Sequence, residues 1–190
     1  MSQVTIDSPA RGRPRARLRY ASFESRIAAG ALDLLVVLII AALFIIAGAL
    51  IVLLSSDFER VDPSPTAINI FWGSAGCIPV AILLYAFIGF AWKGQTVGHS
   101  VMQTMVIRSD GHRLGVLGSA ARVVALLVYP VFVGAGAVTA YSTRSSPPVA
   151  GASVTVAFLL MAAGMLIAVF DGHRRMLHDR IAGTIVVRLE

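Results

Sequence analysis

Lysine is almost missing from this sequence and cysteine occurs once. Of the 16 basic residues only Lys93 is a lysine, and Cys77 is the sole cysteine in 190 residues. One thiol excludes an intramolecular disulfide, and because Cys77 lies inside an apolar run it reads as a small packing residue. The four histidines, His99, His112, His173 and His178, have no thiolate companions, so no metal site is expected. Charge is also scarce, at 14% of residues against 57% hydrophobic, with a mean hydropathy of +0.80. That leaves too little polar surface to coat a soluble globule, and the class indicated is an integral membrane protein. The sequence further lacks a Gly-x-Ser-x-Gly elbow, a phosphate-cradling glycine loop and a zinc-helix pattern, so neither an enzyme nor a bound cofactor is expected.

What is present is long apolar runs. The first, Arg26 to Leu54, contains one acid, Asp33. As a helix it is roughly 40 Å long, more than the roughly 30 Å hydrocarbon core requires. It is also about twice the length of a signal-peptide core, so it should remain as an anchor. An ionised aspartate costs about 2.5 to 3.5 kcal/mol at the bilayer centre and less near an interface, so Asp33 needs polar partners. Further runs cover about 68–92, 116–140 and 149–170, and the second has Trp72 and Trp92 at its two ends. Twenty helical residues rise about 30 Å, which places these indoles at opposite interfaces. Pro79 within that run removes a helical donor and predicts a kink. Arg122, near the start of the third run, is a second charge at membrane depth.

The fold class expected is therefore an all-α membrane protein of four transmembrane helices. Residues 1–19, with arginine at every second position from Arg11 to Arg19, read as a disordered basic tail suited to anionic lipid head groups, and nucleic acid is not expected as a partner. Residues 20–190 form the membrane domain. Six cations precede the first apolar run or open it, three lie in the central link from Lys93 to Gly115, and four lie in the tail 171–190; the other two links hold one each. The positive-inside rule then puts both termini in the cytoplasm of a multi-pass protein. Arginine in place of lysine, with abundant alanine, glycine and valine, suits a GC-rich bacterial coding sequence, and the location expected is a bacterial plasma membrane. In the central link Met105 to Arg108 reads as a short strand before a Ser109-Asp110-Gly111 turn; in the tail Met176 to Ala182 reads as a short helix and Thr184 to Leu189 as β-rich. Pairing of these two stretches, with Val106 near Val186, predicts a small two-stranded cytoplasmic sheet.

Three signatures now stand in order: Arg26 with Asp33; Gly94-Gln95-Thr96-Val97-Gly98 leading to Asp110-Gly111; and Leu177-His178-Asp179-Arg180-Ile181-Ala182-Gly183-Thr184. Their combination resembles the RDD family of small membrane proteins, named for an arginine and two aspartates, here Arg26, Asp33 and Asp179. The resemblance covers about residues 20 to 190. It implies a protein of unassigned activity, involved either in transport of an ion or small solute or in a non-transporting accessory role within a larger membrane complex. His99-Ser100 departs from the basic residues usual after the glycine turn, and the glycine before the strand is replaced around Gln103-Thr104.

Arg26, Asp33, Arg122 and Asp179 are two cations and two anions, and the arrangement expected pairs Asp33 with Arg122 or Arg26 while Asp179 folds back from the tail to complete the network. Such a network is either a structural fastening of the first helix to the tail or, with Asp33 binding a cation or proton, part of a transport step. Gly94, Thr96, Gly98, Gly111, His178, Gly183 and Thr184 support the surrounding motifs. His178 beside Asp179 is read as a cap or interfacial hydrogen-bonding group rather than a catalytic pair. Four spans scarcely enclose a pathway alone, so transport implies a homo-oligomer and an accessory role implies a hetero-partner.

Overall fold

The computed structural model of the chain describes residues 19–58 and 60–189. The basic tail expected over 1–19 thus lies outside the described residues except for Arg19, which opens a strand. Four helices are long and apolar enough to cross a membrane, the third of them broken in two. α1 (Phe23–Ser55) begins at Ser22, whose hydroxyl accepts the Ser25 N–H, and α2 (Pro65–Lys93) begins at Ser64, whose hydroxyl accepts the Ala67 N–H. Pro65 occupies the first turn of α2, where its missing N–H costs nothing, and this starts the helix three residues earlier than the apolar run alone predicts. A short helix α3 (Val97–Val101), not anticipated from the sequence, follows the Gly94 turn.

The third apolar run, expected as one helix over 116–140, is α4 (Gly115–Leu126) followed by α5 (Val128–Ser142). Pro130 explains the break: it has no N–H for the Leu126 carbonyl, and its ring crowds that carbonyl. Pro79 by contrast lies within α2, which continues through it. α6 (Pro147–Phe170) and the short α7 (Leu177–Ala182) complete the helices.

The helices pair as two antiparallel hairpins. α1 and α2 pack tightly near Gly48, where an added Cβ would lie 3.1 Å from the Phe71 ring, and Ser74 Oγ donates to the Phe44 carbonyl at 2.7 Å. α5 and α6 meet at Gly136 and Ser153, whose hydroxyl bonds the Gly136 carbonyl at 3.3 Å. Small side chains and buried hydroxyls are the usual means of close helix contact in lipid, where hydrophobic burial gives no net drive. The hairpins are joined at one end, through α2 on α4, α4 on α7 and α7 on α6. Along the rest of their length they present apolar side chains outward, Leu35, Leu38 and Leu43 on α1 each being more than half exposed.

At the joined end lies a three-stranded antiparallel sheet, ordered β1 (Arg19–Tyr20), β3 (Thr184–Arg188), β2 (Thr104–Arg108). The expected pairing of central link with tail is present, and Val106 stands opposite Val186. The third strand corrects the two-stranded expectation: Tyr20 pairs with Val187, and the Ala21 N–H donates to the Val186 carbonyl at 3.0 Å. One sheet face packs Val106 and Val186 with Ala21, Phe90, Leu114 and Val123; the other gathers Ile107, Ile185 and Val187. Sheet, α3 and α7 form a cap across the ends of α1, α2, α4 and α6.

Candidate functional site

Two carboxylates fasten this cap to the helices. Asp179, in the first turn of α7, is fully buried. Its Oδ2 accepts the Met176 N–H at 2.9 Å, closing the α7 N-terminus, and also accepts Arg26 Nη2 from α1. Its Oδ1 accepts Arg122 Nη1 from α4 at 2.5 Å. The same Arg122 nitrogen reaches the Thr184 hydroxyl at 2.6 Å, at the start of β3. Arg26 Nη1 donates to the Arg174 carbonyl, so one guanidinium clasps two points of the tail. One acid therefore ties α1, α4 and the tail together. Asp179, Thr184 and Arg122 are at most 2% exposed, and charges at that depth persist only where partners replace the lost hydration.

Arg122 lies with Cζ 4.9 Å from the centre of the Phe90 ring, an aromatic face that lessens the cost of its burial. Its Nε is buried without a hydrogen-bond partner among the described residues. His178 borders the cluster. Its Nδ1 is 2.8 Å from the Tyr129 hydroxyl and its Nε2 is 3.4 Å from Asp179 Oδ1. A neutral ring with its proton on Nε2 satisfies both, accepting from Tyr129 and facing the carboxylate with N–H. Burial, then the two guanidinium charges, hold the His178 pKa well below its ordinary value.

Asp33 lies elsewhere than expected. It pairs with neither Arg26 nor Arg122; its oxygens receive the link that follows α2. Oδ1 accepts the Tyr85 hydroxyl at 2.6 Å and the Gly98 N–H at 2.8 Å, while Oδ2 accepts the Thr96 hydroxyl at 2.5 Å. His99 Nδ1 is 3.4 Å from Oδ2 and 2.6 Å from Thr96 Oγ1. Because Thr96 donates to Asp33, it accepts from His99, which places the imidazole proton on Nδ1. The geometry explains why the arginines turn away: Asp33 sits at the start of α3, where free N–H groups await an acceptor, and Asp179 already occupies both guanidinium groups. Burial is the main cause of the lowered His99 pKa, opposed by Asp33 and reinforced by Arg122 and Arg26.

The motif residues have distinct placements. Gly94 caps α2 at φ +70, and a Cβ there would come within 2.6 Å of the Val106 carbonyl oxygen, so a side chain is excluded on two counts. Thr96 is the N-cap of α3. Gly98 presses against α1 so closely that a Cβ would overlap the Ala29 carbonyl and meet the Asp33 carboxyl. Gly111 closes the turn after β2, donating to the Arg108 carbonyl at 2.9 Å. Gly183 ends α7 and leads into Thr184.

Sequence reasoning missed Tyr85 and Tyr129, whose hydroxyls serve the two clusters, and Asp171. Asp171 Oδ2 accepts the His173 and Arg175 N–H groups, and Oδ1 accepts Arg180 Nη2 at 2.6 Å. These bonds depress the Asp171 pKa despite partial desolvation, which is the largest single influence and acts in the opposite sense. The tyrosines gave no signal, since a tyrosine in an apolar helix is ordinary; the Asp-Gly-His sequence after α6 did announce a turn. Among the described residues no three His, Cys, Asp or Glu side chains converge to hold a metal ion.

Comparison with known families adds one finding. A model of the RDD family matches residues 20–183, so the match takes in Arg26, Asp33, Arg122 and Asp179 and stops just before β3. No curated protein and no solved structure matches the chain. With most of its length matched, including the acids at the centre of both clusters, this membrane protein belongs to the RDD family.

Proposed function

We propose that the protein is a non-transporting accessory or assembly subunit of a larger membrane complex, with its cap in the cytoplasm of a bacterial cell. The observation that carries this reading is the saturation of Asp33. An ionised carboxylate offers about four lone-pair sites; Tyr85, Thr96 and Gly98 donate to three of them, and the His99 ring, 3.4 Å from Oδ2, closes the remaining side. A cation arriving there would meet hydrogens rather than oxygens. Asp179 is likewise shared among Arg26, Arg122 and the Met176 N–H. Both acids thus act as fasteners, while the hairpins stay apart beyond the cap and leave apolar helix faces for a protein partner. The basic segment before Arg19 would add attraction to anionic lipid head groups.

One observation favours transport as a second reading. Asp33, Thr96 and His99 form a hydrogen-bonded chain with two titratable ends, and the side chains of Asp33 and His99 keep 18% and 12% exposure. In that reading a homo-oligomer passes protons or a proton-coupled solute. Purification from native membranes followed by mass determination and liposome flux at several pH values separates the two. A heterologous membrane protein in the complex and no flux is the expected result. A homo-oligomer with pH-driven flux, lost in an Asp33→Asn variant that still assembles, would overturn the proposal.

A further inference from the structure

At the end of the α1–α2 hairpin away from the cap, the two helices diverge around an open groove of about 730 Å³. Ile46, Leu50 and Leu53 of α1 face Ile68 and Phe71 of α2 across it, and Asp62 from the connecting link stands in its lining. The groove is closed below by the tight contact at Gly48 and by the Ser74 to Phe44 bond. From Ile46 to Ser56 α1 rises about 15 Å, half the roughly 30 Å hydrocarbon core, so the groove has the depth of one leaflet.

The mouth is electronegative. Asp62 has no cation within ion-pair distance among the described residues, because the nearby Arg60 pairs with Asp57 at 3.7 Å. The C-terminal turn of α1, which contributes Leu53 to the wall, has no basic residue to offset its dipole. No residue of the first three positions of α2 lines the groove, so the positive end of that helix stays outside it. An apolar slot one leaflet deep with a free carboxylate at its rim matches an amphiphile whose head carries an ammonium able to donate hydrogen bonds.

We infer that this groove holds one acyl chain of a membrane phospholipid bearing a primary ammonium head group, with the ammonium on Asp62. The occupant is independent of whether the chain transports or assembles. The basic residues at the cap end favour anionic lipids, so the two ends of the molecule prefer different head groups.

The test is native mass spectrometry of the full-length protein released from micelles containing phosphatidylethanolamine or phosphatidylglycerol. Asp62→Asn removes the rim charge at an exposed position, and Leu50→Trp fills the slot. Asp62→Asn is expected to lower phosphatidylethanolamine retention about threefold, the scale of an exposed ion pair, and to leave phosphatidylglycerol retention unchanged. Leu50→Trp should lower phosphatidylethanolamine retention alone. Unchanged phosphatidylethanolamine retention in either variant would overturn the assignment. So would a co-purifying protein chain released by Leu50→Trp, because a partner helix would then fill the groove.

Discussion

Asp179 accepts from Arg26, Arg122, the Met176 N–H and, at 3.5 Å, the Thr184 hydroxyl, and its replacement should be the most damaging single change in the molecule. Asp179→Asn leaves Arg26 and Arg122 sharing an uncharged amide in a buried site, and removing one member of a buried ion pair costs about 3 to 5 kcal/mol. Thermal unfolding in detergent checks this, with a variant as stable as the native protein counting against it. Asp33→Asn should cost less, about 1 to 3 kcal/mol, since one amide oxygen still accepts while its NH₂ faces donors. Protease resistance of the 94–113 link reads out that change directly, and a fully resistant Asp33→Asn protein would remove the fastening role. Asp33 and Arg122 stood out because charges in apolar runs demand compensation, and Arg26 and Asp179 through the resemblance to the RDD family. Their pairing was not legible. Spacing puts Arg26 and Asp33 on nearly one face of α1, but which partner each chooses depends on α3, a five-residue helix with no periodic signal of its own.

At the scale of elements, the contact of α3 with α1 tolerates no side chain at position 98. Gly98→Ala would drive a methyl into the Ala29 carbonyl and the Asp33 carboxyl, and overpacking of this kind costs about 1 to 3 kcal/mol. Loss of Asp33-dependent protection of the link, with the helices still folded by circular dichroism, is the expected signature. Gly98→Ala behaving as native would show that the link does not sit on α1. The sheet makes a complementary prediction: cysteines at Val106 and Val186, in a Cys77→Ser background, should form a disulfide, since those residues are opposed in the β2–β3 register. The four apolar runs and these two strands were readable from hydropathy and alternation. The third strand was not, because two residues carry no pattern, and the division of α4 from α5 was missed although Pro130 stood in the run to signal it.

For the whole molecule, the cap is expected to lose stability in acid. His99 and His178 both have lowered pKa values in the folded state, so the unfolded chain binds their protons first. Stability from this source is complete above the unfolded value of about 6.5 and declines as pH falls from there towards the folded values. Asp171, also lowered, adds a loss that begins only near the ordinary carboxylate range. Unfolding followed from pH 8 to pH 5 should show falling stability, and His99→Gln with His178→Gln should flatten the upper part of that curve. The central claim, that the cap is held by two separate acid-centred clusters, is tested most directly by double-mutant cycles on unfolding free energy. The account predicts coupling of about 2 kcal/mol or more between Arg122→Met and Asp179→Leu, with Asp33→Asn and Arg122→Met additive to within about 0.5 kcal/mol. Strong coupling of Asp33 to Arg122 with none between Arg122 and Asp179 would contradict it.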